Sequence, residues 1–138
     1  MNNNICGNKG CQSYQKWAIG NDVREMLLAN TALTQYVGNN IYPLIAPENT
    51  EGEFIIYQRD KYKKEWTKIG VYEDVCHLLV TLIADNYDNA IFLASQIDNT
   101  LTGKHTKDTG EKIDINLIDS TESFDDNKYI ETLLFEIK

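Results

Sequence analysis

Apolar residues recur along this chain with two periods, and the places where one period gives way to the other mark its elements. Ile19, Val23, Met26 and Leu27 share a helical face, with Asp22 and Glu25 early and Asn30 near the end, which predicts a short amphipathic helix. Thr31 then offers a cap for a second brief helix, "TALTQYV", with Leu33 and Val37 on one side and Gly38-Asn39-Asn40 closing it. The period changes at Phe54. In "EFIIYQRDKYKKEW" Phe54, Ile56 and Gln58 fall on one face of a long strand, and Ile55, Tyr57 and Arg59 on the other. "VYEDVCHLLVTLIAD" is apolar on both faces through Leu78–Ala84, as suits a central strand covered on both sides, paired to the preceding strand by a hairpin around "TKIG".

Asp85 or Asn86 caps the next helix, in which Ala90, Leu93, Ala94, Ile97 and Leu101 form a packing stripe that Gly103 ends. "KIDINLID" and "KYIETLLFEIK" alternate again, and "STESFDDNK" between them is expected to be a polar turn. The predicted order is α-α-β-β-β-α-β-β. Short links on both sides of one long helix imply an α+β fold, a mostly antiparallel sheet of about four to five strands with helices packed on one face. The polar start, 1–17, is expected to be a flexible leader, and 18–138 a single domain.

Both prolines of the chain lie in "IYPLIAPENTEG", between the helices and the long strand. Proline has no N–H to give a ladder and forces the preceding residue towards an extended shape. Tyr42-Pro43 and Ala46-Pro47 therefore predict a short edge strand followed by a passage that skirts the sheet.

A length of 138 residues suits one core, and no run approaches the roughly 20 apolar residues that span a bilayer. The start lacks the basic stretch and apolar core of a secretory signal, so the expected compartment is the cytoplasm. The net charge of −8 argues against a protein whose task is coating nucleic acid, since that affinity comes from neutralising phosphates. The charge is uneven. Arg59, Lys61, Lys63, Lys64 and Lys68 fall in one short stretch, whereas nine acids lie between Asp108 and Glu136. The basic run reads either as a solvated hairpin tip or as one half of a contact between copies of the chain, its acidic half elsewhere.

Little chemistry is written here. Three cysteines fit a reduced compartment better than a disulfide framework. Cys6 and Cys11 flank "GNKG" and could pair or join a metal site, but Cys76 and His77, adjacent on a strand, point to opposite faces. Neither GxGxxG nor GxxxxGK[ST] occurs, and neither His77 nor His105 has a GxSxG serine to serve. "DDNK", Asp125 to Lys128, has the composition of a metal-dependent nuclease site, though turn residues look the same. The expectation is no enzyme, no cofactor, no catalytic residue and no metal.

The order of short motifs carries more. Leu27-Leu28, Leu33, Val37-Gly38, Ile41-Tyr42-Pro43, Ala46-Pro47, Phe54-Ile55-Ile56-Tyr57 and Asp85-Asn86-Tyr87-Asp88-Asn89-Ala90 resemble the pattern of the tail completion, or tail-terminator, family of long-tailed bacteriophages, from about Ala18 to Lys138. Glu53 stands where that family often has proline. The resemblance implies a structural virion or prophage protein that forms a ring, typically hexameric, on the completed tail tube and joins it to the head connector. It implies as partners further copies of the chain, the tail-tube protein and the connector, with DNA only as passing cargo and no membrane. The location it implies is the virion tail, after assembly in the host cytoplasm. Pro43, Pro47, Arg59, Lys61, Lys63, Lys64 and Lys68 are the residues expected at an interface or the lumen. The alternatives are a monomeric adaptor that binds by sheet-edge addition, or a small metal-dependent nuclease.

Overall fold

The computed structural model describes residues 17–66, 72–107 and 110–138. Among these residues three helices and six strands follow one another as α1 (Ile19–Leu28), α2 (Thr31–Val37), β1 (Ile41–Pro43), β2 (Phe54–Trp66), β3 (Tyr72–Ala84), α3 (Tyr87–Leu101), β4 (Gly103–Thr106), β5 (Lys112–Asp125) and β6 (Lys128–Ile137). The strands form one sheet in the order β1-β2-β3-β6-β5-β4. β1 runs parallel to β2 and every other neighbour is antiparallel, so the sheet is mixed.

The helices lie on one face of the sheet, as alternation and helical period require of a two-layer fold. Ile19, Val23 and Leu27 of α1, Leu33 and Val37 of α2, and Ala90, Leu93, Ile97 and Leu101 of α3 are buried. They meet Ile55 and Tyr57 of β2, Cys76, Leu78, Val80 and Leu82 of β3, Leu133, Phe135 and Ile137 of β6, and Ile113 and Ile115 of β5. β3 is central, as its apolar run predicts, but the described helices cover only one of its faces. On the other, Leu79 and Thr81 are half-buried beside Leu134 and Thr132 of β6.

Other expectations change for local reasons. The cap of α2 is Asn30 and not Thr31: its side-chain oxygen accepts from Leu33 N at 3.2 Å, while its amide nitrogen donates to Thr100 Oγ1 and Gln96 Oε1 of α3 at 2.7 and 3.2 Å. A Thr cap offers no such second set of donors, so the residue that starts α2 also ties it to α3. Asn86 caps α3, accepting from Asn89 N at 2.8 Å.

The segment after α3 is a strand. Gly103, at φ 125°, turns the chain so sharply that β4 begins at once and pairs His105 with Ile113. His105, expected in a loop, has its Nε2 2.7 Å from Leu101 O. Most of "STESFDDNK" is strand as well. Only Asp126 and Asn127 make the turn, both with positive φ (50° and 60°), and a two-residue hairpin of that kind lets β5 and β6 pair up to Asp125–Lys128. β4 raises the described sheet to six strands from the four to five expected, and the longer pairing extends β5 and β6. The "TKIG" hairpin, Cys6 and Cys11 lie outside the described residues.

Candidate interaction surface

The proline passage behaves as its chemistry dictates. Pro43 ends β1, paired with Tyr57, and Leu44 N then bonds to Tyr57 O at 2.9 Å before the chain leaves the sheet with Leu44 at φ 66°. Leu44 and Ile45 are thrust into solvent, 69 % and 79 % exposed. Pro47 is exposed in the following turn, where its carbonyl accepts from Thr50 Oγ1 at 2.6 Å.

Above β1 the flank of β2 carries the basic residues. Arg59, Lys61 and Lys63 are exposed. Lys64 faces Asp74 in the β2–β3 register; its side chain, and all of Lys68, fall outside the described residues. The Arg59 guanidinium stacks 3.9 Å above the centre of the Trp17 ring, which in turn meets Tyr62 edge-on at 5.5 Å. Trp17, the last residue of the expected leader, thus forms part of this surface. Trp17, Leu44, Pro43, Tyr57 and Arg59 surround an open cleft of about 300 Å³ below α1. Pro43 and Arg59 are thus brought to one site, whereas Pro47 stands apart from it.

β5 supplies a second, acidic flank at the far side of the sheet. Asp119, Glu122 and Asp125 are exposed there with Ile118 and Phe124. Phe124 lies in a segment expected to be a turn, and Ile118 falls at the register shift between Leu117 and Asp119, where the alternation expected of "KIDINLID" breaks. A third exposed apolar group, Tyr36, Ile91 and Phe92, sits on the outer side of α2 and α3, with Tyr36 and Phe92 rings 5.9 Å apart.

Two carboxylates face each other where β5 and β6 meet the start of α3. Glu122 and Glu131 are register partners, and Tyr87 OH donates to both oxygens of Glu122 at 3.0 and 3.2 Å. Burial, then the hydrogen bond and negative charge of Glu122, push Glu131 up to about 7. Its folded form holds a proton more tightly than the ordinary carboxylate value of 4.5 allows. The stabilisation is therefore complete below that ordinary value and is lost as pH rises through about 7. Glu131→Gln should leave the melting temperature unchanged at pH 4.5 and raise it at pH 8, by about 2–5 °C; an equal shift at both pH values would mean that the pair does not share a proton.

Of the "DDNK" residues, Asp126 occupies the hairpin turn and Lys128 Nζ bonds to Asp85. Cys76 is buried on the helix side while His77 lies on the other face, its Nε2 3.4 Å from Glu136 of β6. Among the described residues no group of three or more His, Cys, Asp or Glu gathers as metal ligands would, and no helix is long and apolar enough to cross a membrane.

No family model and no curated protein matches the chain. Among solved structures, a chain from the virion of a native gene transfer agent (GTA) particle is similar, with a TM-score of 0.67, 16 % identity, and coverage of 83 % of this chain and 89 % of that one. At that identity the likeness is one of fold.

Proposed function

We propose that this chain is a structural component of a phage-like particle, and that it caps the completed tail tube as a ring and joins it to the head connector. The observation that carries the reading is the shared fold with a virion chain over most of both lengths. The ordered motifs from Leu27 to Ala90 resemble the tail-terminator pattern and narrow the role to the tail end. Charge supports association between copies. A chain of net charge −8 that gathers its basic residues on the flank of β2 and its acids on the flank of β5 is suited to head-to-tail contact, which closes into a ring when the rotation closes.

In this role the protein works mechanically and performs no catalysis: it stops tube growth, presents a surface to the connector, and leaves a lumen for DNA. The test is to add purified protein to growing tubes of the tail-tube protein of the same particle and to image them by electron microscopy. Rings at one end of tubes of arrested length are expected. Tubes that keep growing without a terminal ring would overturn the reading, and a one-to-one complex without rings would replace it with an edge-adding adaptor.

A further inference from the structure

Two strands of the sheet are covered on their outer side only near one end. β1 lies beside β2 at Ile55–Tyr57, and β4 lies beside β5 at Lys112–Ile115. Past those points, among the described residues, neither β2 nor β5 has a strand on its outer side. Each exposed edge is a row of backbone donors and acceptors on which another strand can form.

Both strands also carry a register shift where the uncovered half begins, between Arg59 and Lys61 in β2 and between Leu117 and Asp119 in β5. Strict alternation would set Lys61 and Lys63 on the side of Ile55 and Tyr57, and Asp119 and Asp125 on the side of Ile113 and Ile115, all facing the helix layer. The extra residue reverses the alternation. Lys61 now partners His77, and Asp119 partners Leu134, on the face without helices, and two residues further along Lys63, and six further along Asp125, follow them.

We propose that the uncovered half of β5 in one copy pairs with the uncovered half of β2 in the next, so that successive sheets join into a continuous ring of strands; this rests on the ring reading above. The occupant of each edge is thus a second copy of this chain. Direction favours it, because three antiparallel steps (β2–β3, β3–β6, β6–β5) leave β5 opposite in sense to β2, and a copy related by rotation offers an antiparallel edge. Charge favours it too. Lys61 and Lys63 of one copy lie beside Asp119 and Asp125 of the other on the helix-free face.

On the helix side, Phe124, 57 % exposed, is presented to the cleft that Trp17, Leu44 and Arg59 surround, an aromatic ring for an aromatic and cationic site. The two uncovered halves sit at opposite ends of the sheet, so the copies must be staggered along the strands. Closing a sheet with tilted strands imposes such a stagger, and it lets β1 and β4 clear the joint at either end.

The test uses two full-length variants, Lys61→Glu/Lys63→Glu, acidic on both edges, and Asp119→Lys/Asp125→Lys, basic on both. Circular dichroism and melting establish that each is folded, and capping of tail tubes is counted by electron microscopy. Each variant alone should lose capping at least tenfold against wild type. An equimolar mixture should regain it, since each acidic edge then meets a basic one, and its rings should alternate the two variants in native mass spectra. If Lys61 and Lys63 contacted the tube and not a neighbour, half of the subunits would stay defective and the mixture would not recover. Folded variants that cap alone, or a mixture that stays inactive, would overturn the edge contact while leaving the ring itself standing; wild-type protein that forms no ring would overturn the proposed function.

Discussion

Phe135→Ala is expected to cost about 3–5 kcal/mol of stability, the range for removing a fully enclosed phenyl ring. Phe135 is completely buried in β6, between Leu78 of β3 and Leu117 of β5 on the helix side of the sheet. Truncation loses the transfer energy of the ring and leaves a cavity beneath α3 that rigid strand pairing on both sides prevents from collapsing. In a chain of this length the melting temperature should fall by roughly 10–20 °C. Leu134→Ala, one position along on the helix-free face, should cost less than half as much, because that side chain is only half-buried. Equal losses at the two positions would mean that the helix-free face is packed as tightly as the core.

Gly20→Ala should destabilise, although the same change on an exposed helix stabilises by about 1 kcal/mol. A Cβ built at Gly20 meets Tyr57 Cε2 at 2.9 Å and Cδ2 at 3.1 Å. The ring cannot swing aside without giving up its packing against α1, since Tyr57 is only 6 % exposed. Overpacking of this kind costs about 1–3 kcal/mol. Thermal melts of Gly20→Ala, Tyr57→Leu and the double variant decide the matter: the double variant should be no less stable than Tyr57→Leu alone, because the obstructing ring is gone. Additive losses would place the strain elsewhere. The same contact holds α1 against β2 where the cleft opens, so the fit of Gly20 to Tyr57 shapes the surface on which the proposed neighbour docks.

How far the sequence could be read depended on whether an element is specified locally. Helices α1 and α3, strands β2, β3 and β6, and the edge position of Pro43 follow from period and from the absent proline N–H, both properties of a short window. β4 was missed because four residues after a glycine carry too little pattern, and only the waiting edge of β5 makes Gly103–Thr106 a strand. The turn expected over the whole of "STESFDDNK" shrank to Asp126-Asn127, since polar residues extend readily when β6 offers a partner at each position along one side of the strand.

The basic stretch from Arg59 and the acidic stretch of β5 were visible as charge, and the motif order supplied the family resemblance. Which face those charges occupy was not. The sequence by itself determined the elements, the apolar stripe that buries them and the imbalance of charge, because each is a sum over neighbours in the chain. The tertiary structure alone decided the order of the strands, the two register shifts that carry Lys61 and Asp119 to the helix-free face, and the meeting of Trp17 with Arg59. Those depend on pairings between residues far apart in the chain, where a single extra residue reverses every side chain that follows it.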